Sequence, residues 1–189
     1  MARDEAGGRL EDEASLVEAA RSDPAAFSAL YRRYVTAVYR YLYKRLDNPK
    51  DAEDLTSQVF TEALEGLAHY RERGGFAGGN FTAWLFTIAR RKAIATYRKR
   101  RPTLPLDEAE HLHRSIEDPL DQVVQSEQLE RMAALFAELD EDQRELLRLR
   151  FSAGLGYAEM GALLGRSEAA VKMAVYRLLR QMNEKWEVK

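Results

Sequence analysis

The chain has 189 residues, of which 46% are apolar and 32% charged, with a formal charge of −2; this is typical of one medium or two small soluble domains. It has no cysteine, which excludes disulfides and thiolate metal sites. No apolar run approaches the ~20 residues that span a bilayer, and the acidic N-terminus lacks a hydrophobic signal core. These features predict a cytoplasmic protein without a metal site or cofactor.

Helical periodicity dominates the N-terminal half, and strand signals are almost absent. After a flexible tail over residues 1–13, the pattern predicts four helices, at 14–22, at 24–46, from 49 or 51 to about 69, and at 81–101. A glycine-rich loop precedes the fourth helix. The periodicity therefore predicts an all-α domain over residues 14–101.

The composition changes at Pro102. Residues 102–125 hold three prolines and a surplus of acidic residues, which is typical of a flexible linker. Helical patterns then return at 126–139, 140–151, 157–164 and 167–186, separated by glycine turns. The sequence thus predicts two small all-α domains, the second over residues 126–189, joined by an acidic linker.

The segment 81–101 changes character along its length. It opens with aromatic and aliphatic residues such as Phe81 and Trp84, and it closes with seven basic residues and no acidic one. Basic groups neutralise phosphates, and aromatic faces stack on unpaired bases. This half of the chain is therefore predicted to contact nucleic acid, although Trp84 fits a buried position equally well.

Residues 157–175 have the layout of a helix-turn-helix. Gly161 lies where two helices must approach closely, Gly165 occupies the turn, and Ser167 caps the second helix. The second helix leaves a basic outer face that has the charge and reach to enter a major groove. An ordinary helical hairpin with a solvated basic face is the alternative; Arg144, Arg148 and Arg150, before the turn, favour DNA.

Together the two halves resemble bacterial sigma factors of the extracytoplasmic-function class, group 4 of the sigma-70 family. Residues 51–60 (Asp-Ala-Glu-Asp-Leu…Val-Phe) are similar to the family segment that binds core RNA polymerase. Residues 81–90 are similar to the segment that melts and reads the promoter −10 element, and residues 137–181 to the domain that reads the −35 element. The resemblance extends from about residue 14 to 182.

The resemblance implies a transcription-initiation factor that is not an enzyme. Its implied partners are the clamp and flap of core polymerase, single-stranded −10 and duplex −35 DNA, and an anti-sigma factor. Its implied polymerase contacts are Asp51, Glu53, Asp54, Ser57, Gln58, Phe60 and Thr61. Its implied −10 contacts are Phe76, Asn80, Phe81, Trp84, Arg90, Arg91, Arg98, Lys99 and Arg100. Its implied −35 contacts are Arg148, Arg166, Ser167, Lys172, Met173, Tyr176, Arg177 and Arg180.

The chain departs from the family pattern at three places. Ser57-Gln58 replaces a frequent Gln-Glu pair, Arg91 and Ala95 replace Asn and Asp, and Met173 replaces a small polar residue. The first departure concerns the polymerase contacts, and the other two leave the base preferences of the −10 and −35 surfaces open. Two other functions fit the residues less well: a stand-alone helix-turn-helix regulator with an N-terminal sensor or dimerisation domain, which would not need the basic helix at 88–101, and a protein-binding adaptor.

Overall fold

The computed structural model of the chain describes residues 13–70, 80–100, 128 and 131–187, with side chains as far as residue 96 in the second range. The described helices are α1 (13–19), α2 (Pro24–Leu46), α3 (Pro49–Gly66), α4 (Phe81–Arg100), α5 (131–137), α6 (Glu141–Leu147), α7 (Tyr157–Leu164) and α8 (Glu168–Glu187). A 3-10 turn follows α3 at Leu67–His69, and a π-helical turn follows α6 at Arg148–Ser152. These residues form no strand, and the prediction of an all-α fold is confirmed.

The helix starts follow from local chemistry. The Asp23 side chain accepts a hydrogen bond from the Ala25 N–H at 2.8 Å, and Pro24 opens α2. The Asp140 carboxylate accepts from the Gln143 N–H at 2.8 Å, and the Gln143 side chain accepts in return from the Asp140 N–H at 3.0 Å. Such caps satisfy N–H groups that have no partner inside the helix, so the predicted starts of α2 and α6 agree with the structure.

Helices α2, α3 and α4 pack together as the N-terminal bundle. Its centre is built from fully buried side chains that include Leu30, Tyr41, Val59 and Phe86. The helical periodicity of residues 24–46 predicts a buried stripe that includes Leu30, Tyr31 and Tyr34, but the Tyr31 side chain is 41% exposed. It sits at the edge of that stripe and packs its ring against Phe60, with 4.7 Å between ring centroids.

Helices α6, α7 and α8 form the second bundle, centred on Met160, Val171 and Val175, which are fully buried. This bundle is docked on the first one. The core that contains Tyr41 and Phe86 continues without a break through Leu149 to Met160, because α2 packs on the π-helical turn and α4 packs on α7. None of the described helices is long and apolar enough to cross a membrane.

Candidate polymerase and nucleic-acid interfaces

The aromatic start of α4 lies mostly inside the N-terminal bundle. Phe81 is 2% exposed, and its ring packs against those of Tyr34, Tyr70 and Trp84 at centroid distances of 5.6, 6.0 and 5.6 Å. Trp84 is half-buried, and its ring lies 4.9 Å from that of Tyr70. Phe81 therefore supports the Trp84 ring from inside the bundle, whereas Trp84 keeps part of its ring accessible.

Helix α3 approaches α4 closely at Trp84. A Cβ atom on Gly66 would lie 3.1 Å from Cζ2 of Trp84, so the glycine leaves room for the indole. At the helix start, the Asn80 side-chain oxygen accepts a hydrogen bond from the Ala83 N–H at 3.0 Å. Asn80 thereby caps α4, and it is half-buried.

The basic side chains of α4 that the structure describes are already engaged. Arg90 is half-buried, and its Nε donates to Glu145 of α6 at 3.2 Å. Arg91 is exposed and forms an ion pair with Glu62 of α3, which Lys92 also contacts at 3.0 Å. The predicted contacts Phe76, Arg98, Lys99 and Arg100 lie outside the described side chains.

The residues predicted to contact polymerase lie along one side of α3. Five of them are exposed: Glu53, Asp54, Ser57, Gln58 and Thr61. Asp51 is half-buried, and Phe60 is 4% exposed. Phe60 therefore supports this surface from within the bundle, beneath the ring of Tyr31.

Two exposed apolar side chains border this surface, and sequence analysis did not single them out as surface contacts. Tyr31 is 41% exposed and Leu64 is 53% exposed. Leu64 follows Phe60 by four residues and so lies one helical turn further along α3. In the sequence, the apolar Leu64 close to the acidic and polar side chains of α3 is a sign of such a surface. Helical periodicity alone, however, predicts that Tyr31 is buried.

The helix-turn-helix prediction agrees with the geometry of α7 and α8. Gly165 has φ 66°, a left-handed conformation that glycine adopts without strain. A Cβ atom on Gly161 would lie 2.7 Å from the Arg166 carbonyl oxygen, so the two helices approach too closely there for any side chain. The Ser167 hydroxyl accepts from the Ala170 N–H at 3.2 Å and caps α8.

The outer face of α8 is open. Seven of the eight predicted −35 contacts are exposed: Arg166, Ser167, Lys172, Met173, Tyr176, Arg177 and Arg180. Met173 and Tyr176 are each 53% exposed, although large apolar side chains usually lie inside. The amine of Lys172 lies 5.9 Å from the centre of the Tyr176 ring. This arrangement offers cations and apolar surface on one helix face.

Arg148, the eighth predicted −35 contact, is placed elsewhere. Its side chain is 15% exposed, and it donates from Nη1 to Glu141 at 2.8 Å and from Nε to the Lys44 carbonyl oxygen at 3.2 Å. The guanidinium thus points into the contact between the two bundles. In this arrangement it is occupied by protein acceptors, which leaves it unavailable to a phosphate.

Glu145 is a functional candidate that sequence analysis missed. It is 4% exposed, and it accepts a hydrogen bond from the Tyr41 hydroxyl at 2.7 Å. Burial, followed by the nearby Glu145 carboxylate, raises the pKa of Tyr41 well above its ordinary value. The phenol therefore stays protonated and acts as a donor. Because glutamate is rarely buried, no local pattern marked this residue.

Two family models match the chain. Sigma-70 region 2 matches residues 30–103, which include α2 to α4, and Sigma-70 region 4 matches residues 129–182, which include α6, α7 and most of α8. The solved structure of CnrH in complex with the cytosolic domain of CnrY superposes with a TM-score of 0.64 and 23% identity, covering 94% of this chain and 98% of that one. That likeness supports the fold.

Curated relatives identify the class. The chain is 35% identical over 170 residues to the ECF RNA polymerase sigma factor BldN of Streptomyces coelicolor, covering 88% of this chain but 63% of BldN. It is 34% identical over 153 residues to the ECF RNA polymerase sigma factor ShbA of Streptomyces griseus, covering 76% of this chain and 78% of ShbA. The chain belongs to the extracytoplasmic-function class of RNA polymerase sigma factors.

Proposed function

We propose that this chain binds core RNA polymerase and directs promoter-specific initiation of transcription, acting in the cytoplasm and without an enzymatic activity of its own. The observation that carries the proposal is the order of the two family regions in one chain, region 2 before region 4. A self-contained regulator would need only one DNA-reading unit per subunit. The proposed units are residues 14–101 and 126–189, with 102–125 as the linker and 1–13 as a tail.

The polymerase clamp is proposed to bind the side of α3. Exposed acidic and polar side chains there, from Glu53 to Thr61, offer hydrogen bonds and charge. Tyr31 and Leu64 add exposed apolar area beside them. Protein interfaces combine apolar and polar area, and acidic side chains repel the phosphates of DNA, so this surface suits a protein partner better than it suits DNA.

The −10 strand is proposed to follow α4 from Asn80 to Arg100. Trp84 offers a partly accessible ring at the start of the helix, where an unpaired base could stack. Arg90 and Arg91 offer charge about two turns further along, where they could neutralise phosphates. Phe81 supports Trp84 from the core.

The −35 duplex is proposed to receive α8 in its major groove. The N-terminal part of the helix presents Lys172, Met173 and Tyr176 on its exposed face. Cationic side chains can donate to guanine, and apolar groups can contact the thymine methyl. Arg166 and Arg180, exposed near the two ends of this face, suit backbone phosphates.

A protein partner is also proposed to hold the factor inactive. The solved relative CnrH was found in complex with the cytosolic domain of CnrY. This chain offers a target of its own in two exposed apolar side chains, Phe136 of α5 and Leu179 of α8. A partner bound there would compete with the flap of polymerase for the same bundle.

Transcription in vitro with purified core polymerase and a promoter library tests the proposal. The expected result is specific transcripts that require both the chain and core polymerase, with weak duplex binding by the chain alone. Tight, sequence-specific binding to paired half-sites by the free protein, without any transcription on addition of polymerase, would favour the stand-alone regulator instead.

A further inference from the structure

A buried carboxylate joins the two halves of the chain. Glu145 of α6 is 4% exposed. Its Oε1 accepts hydrogen bonds from the Tyr41 hydroxyl at 2.7 Å and from Arg90 Nε at 3.2 Å. Its Oε2 accepts from Arg45 and lies 3.6 Å from Nη1 of Arg148. Three of these four partners belong to the N-terminal bundle, so Glu145 with Tyr41, Arg45, Arg90 and Arg148 is here called the Glu145 latch.

Ion pairs at the edge of the interface surround the latch. Arg45 Nη2 lies 3.2 Å from Glu141, which also accepts from Arg148 at 2.8 Å. Arg148 reaches across to the Lys44 carbonyl oxygen at 3.2 Å. A buried carboxylate is tolerated only while its donors are present, because its desolvation cost is otherwise uncompensated. The latch therefore favours the docked arrangement only when it is complete.

Docking places the second bundle over the proposed −10 surface. Arg90 is held by Glu145. The Asn80 amide donates to Glu159 of α7 at 3.4 Å. Leu163 of α7 lines, together with Arg91 and Ala95, a groove of about 330 Å³ beside α4. Single-stranded DNA following α4 would meet α7 along this face.

The docked arrangement also cannot match promoter geometry. Positions −10 and −35 lie about 25 base pairs apart, which corresponds to about 85 Å of B-form duplex. In the structure α7 packs on both α4 and α8, and two helix-to-helix spacings amount to about 20 Å. One molecule in this form cannot place α4 on the −10 element and α8 on the −35 element. Fully extended, residues 102–125 would reach on the order of 80 Å, which suits a separated form.

We propose that the docked arrangement is a self-inhibited state of this chain, in which the Glu145 latch holds the −35-reading bundle over the −10-reading surface. The inference rests on the proposed function, because covering α4 matters only if α4 reads promoter DNA. It assigns inhibition to contacts within the chain, independent of any protein partner. Separation of the bundles exposes Asn80, Arg90 and the groove beside α4 together.

The substitution Glu145→Gln tests the latch in the full chain. It preserves the shape of the side chain but removes its charge, which leaves Arg90 without its carboxylate partner and leaves Arg45 and Arg148 with Glu141 alone, at the edge of the interface. Breaking one partner of a buried ion pair is expected to shift the equilibrium toward separated bundles at least tenfold. Glu65→Gln is the matched control, because it makes the same charge change at an exposed position of α3.

Two measurements report the shift. Because the chain has no cysteine, dyes placed at Lys50→Cys and Asn183→Cys report the distance between the bundles by energy transfer. Affinity for single-stranded −10 DNA, measured by anisotropy at fixed salt, is expected to rise by the same factor as the separated fraction. Glu145→Gln should show both changes, and Glu65→Gln should show neither. Distances and affinities of Glu145→Gln equal to those of the unsubstituted chain would overturn the proposal.

Tyr41→Phe keeps the test decisive if Glu145→Gln unfolds, as judged by circular dichroism. It removes a single hydrogen bond to Glu145 and is expected to separate the bundles in the same direction by roughly fivefold. No change in this folded variant would equally overturn the latch. Transcription with core polymerase, measured in parallel, distinguishes the two claims. If the chain supports transcription but neither substitution separates the bundles, only the proposal of self-inhibition is wrong. If no variant and no unsubstituted chain supports transcription, the proposed function is wrong.

Discussion

The two proposed DNA-reading surfaces of this chain are presented in opposite ways. On α8, Lys172, Met173 and Tyr176 are exposed. On α4, Arg90 is bonded to Glu145, and Arg91 is paired with Glu62. Both helices are basic in sequence, yet one is available and the other is occupied. Whether a basic helix can contact DNA therefore depends on its contacts with residues far away in the chain, and these contacts cannot be predicted from the charge of the helix alone.

The contrast has a structural basis in what each helix packs against. Helix α8 uses Val171, Val175 and Leu178 to pack on its own bundle, and it leaves its opposite face to solvent. Helix α4 packs on α2 and α3 on one side and on α7 on another. A helix enclosed on several sides has little surface left for a ligand until one neighbour moves away.

The largest effect is expected on the exposed face of α8. The double substitution Lys172→Ala and Arg177→Ala should reduce affinity for −35 duplex, at about 1–3 kcal/mol for each contact that reads DNA. Affinity for core polymerase should change little, because neither residue belongs to the proposed clamp contacts on α3 and both lie on the proposed DNA-reading face of α8. Duplex binding by anisotropy and polymerase binding by gel filtration check this. Loss of polymerase binding would show that the interfaces are assigned wrongly.

The next largest effect is expected where Gly161 of α7 packs closely against the backbone just before α8. Gly161→Ala places a Cβ atom 2.7 Å from the Arg166 backbone oxygen, and such overpacking costs about 1–3 kcal/mol. Thermal unfolding should occur at lower temperature, and −35 affinity should fall. Gly66→Ala is the comparison, because there the neighbour at 3.1 Å is the Trp84 side chain, which can shift. Equal losses in the two variants would contradict this explanation.

A smaller effect concerns pH and the covered surface. Burial, and after it the Glu145 carboxylate that docking brings close, raises the pKa of Tyr41 above its ordinary value of 10.0, so docking is fully favoured below pH 10 and weakens as pH rises above it. The ratio of docked to separated protein should fall about tenfold per pH unit in that range. Energy transfer from pH 8 to 11 reports the ratio. Tyr41→Phe should abolish the dependence, and a dependence that persists in this variant would exclude Tyr41 as its source.

The smallest effect is at the surface pairs of α4. Glu62→Gln should release Arg91 and Lys92, whose partner is Glu62. Because exposed ion pairs contribute about 0.2–1 kcal/mol, affinity for single-stranded DNA should rise by at most about fivefold. The decrease of that affinity with rising salt concentration should become steeper as well. An unchanged affinity would indicate that Arg91 does not contact the strand.

Much of the helical framework could be predicted from the sequence. Pro24, Asp140 and Ser167 mark helix starts through local hydrogen bonds or fixed backbone angles, and the structure places α2, α6 and α8 accordingly. Gly161 and Gly165 identified the helix-turn-helix because close approach and positive φ are properties of single positions. Helix starts and glycine-dependent contacts can therefore be predicted from a single sequence, because each depends on one or a few neighbouring residues.

The docking of the two bundles could not be predicted in the same way. Glu145 is buried by Tyr41 and Arg45, which lie about a hundred positions earlier in the chain. Arg148 was assigned to DNA from its charge, yet its partners here include the Lys44 backbone. Periodicity places a residue on a helix face, but it does not say which distant element meets that face.

The distance between the bundles, measured in the free chain and in the complex with core polymerase and promoter DNA, tests the central claim most directly. Dyes at Lys50→Cys and Asn183→Cys should report a short separation in the free chain, close to the docked arrangement. In the complex with polymerase and promoter DNA, the distance between the dyes should increase toward about 85 Å, which is the distance between the two promoter elements. An unchanged short distance in a complex that makes transcripts would contradict the account.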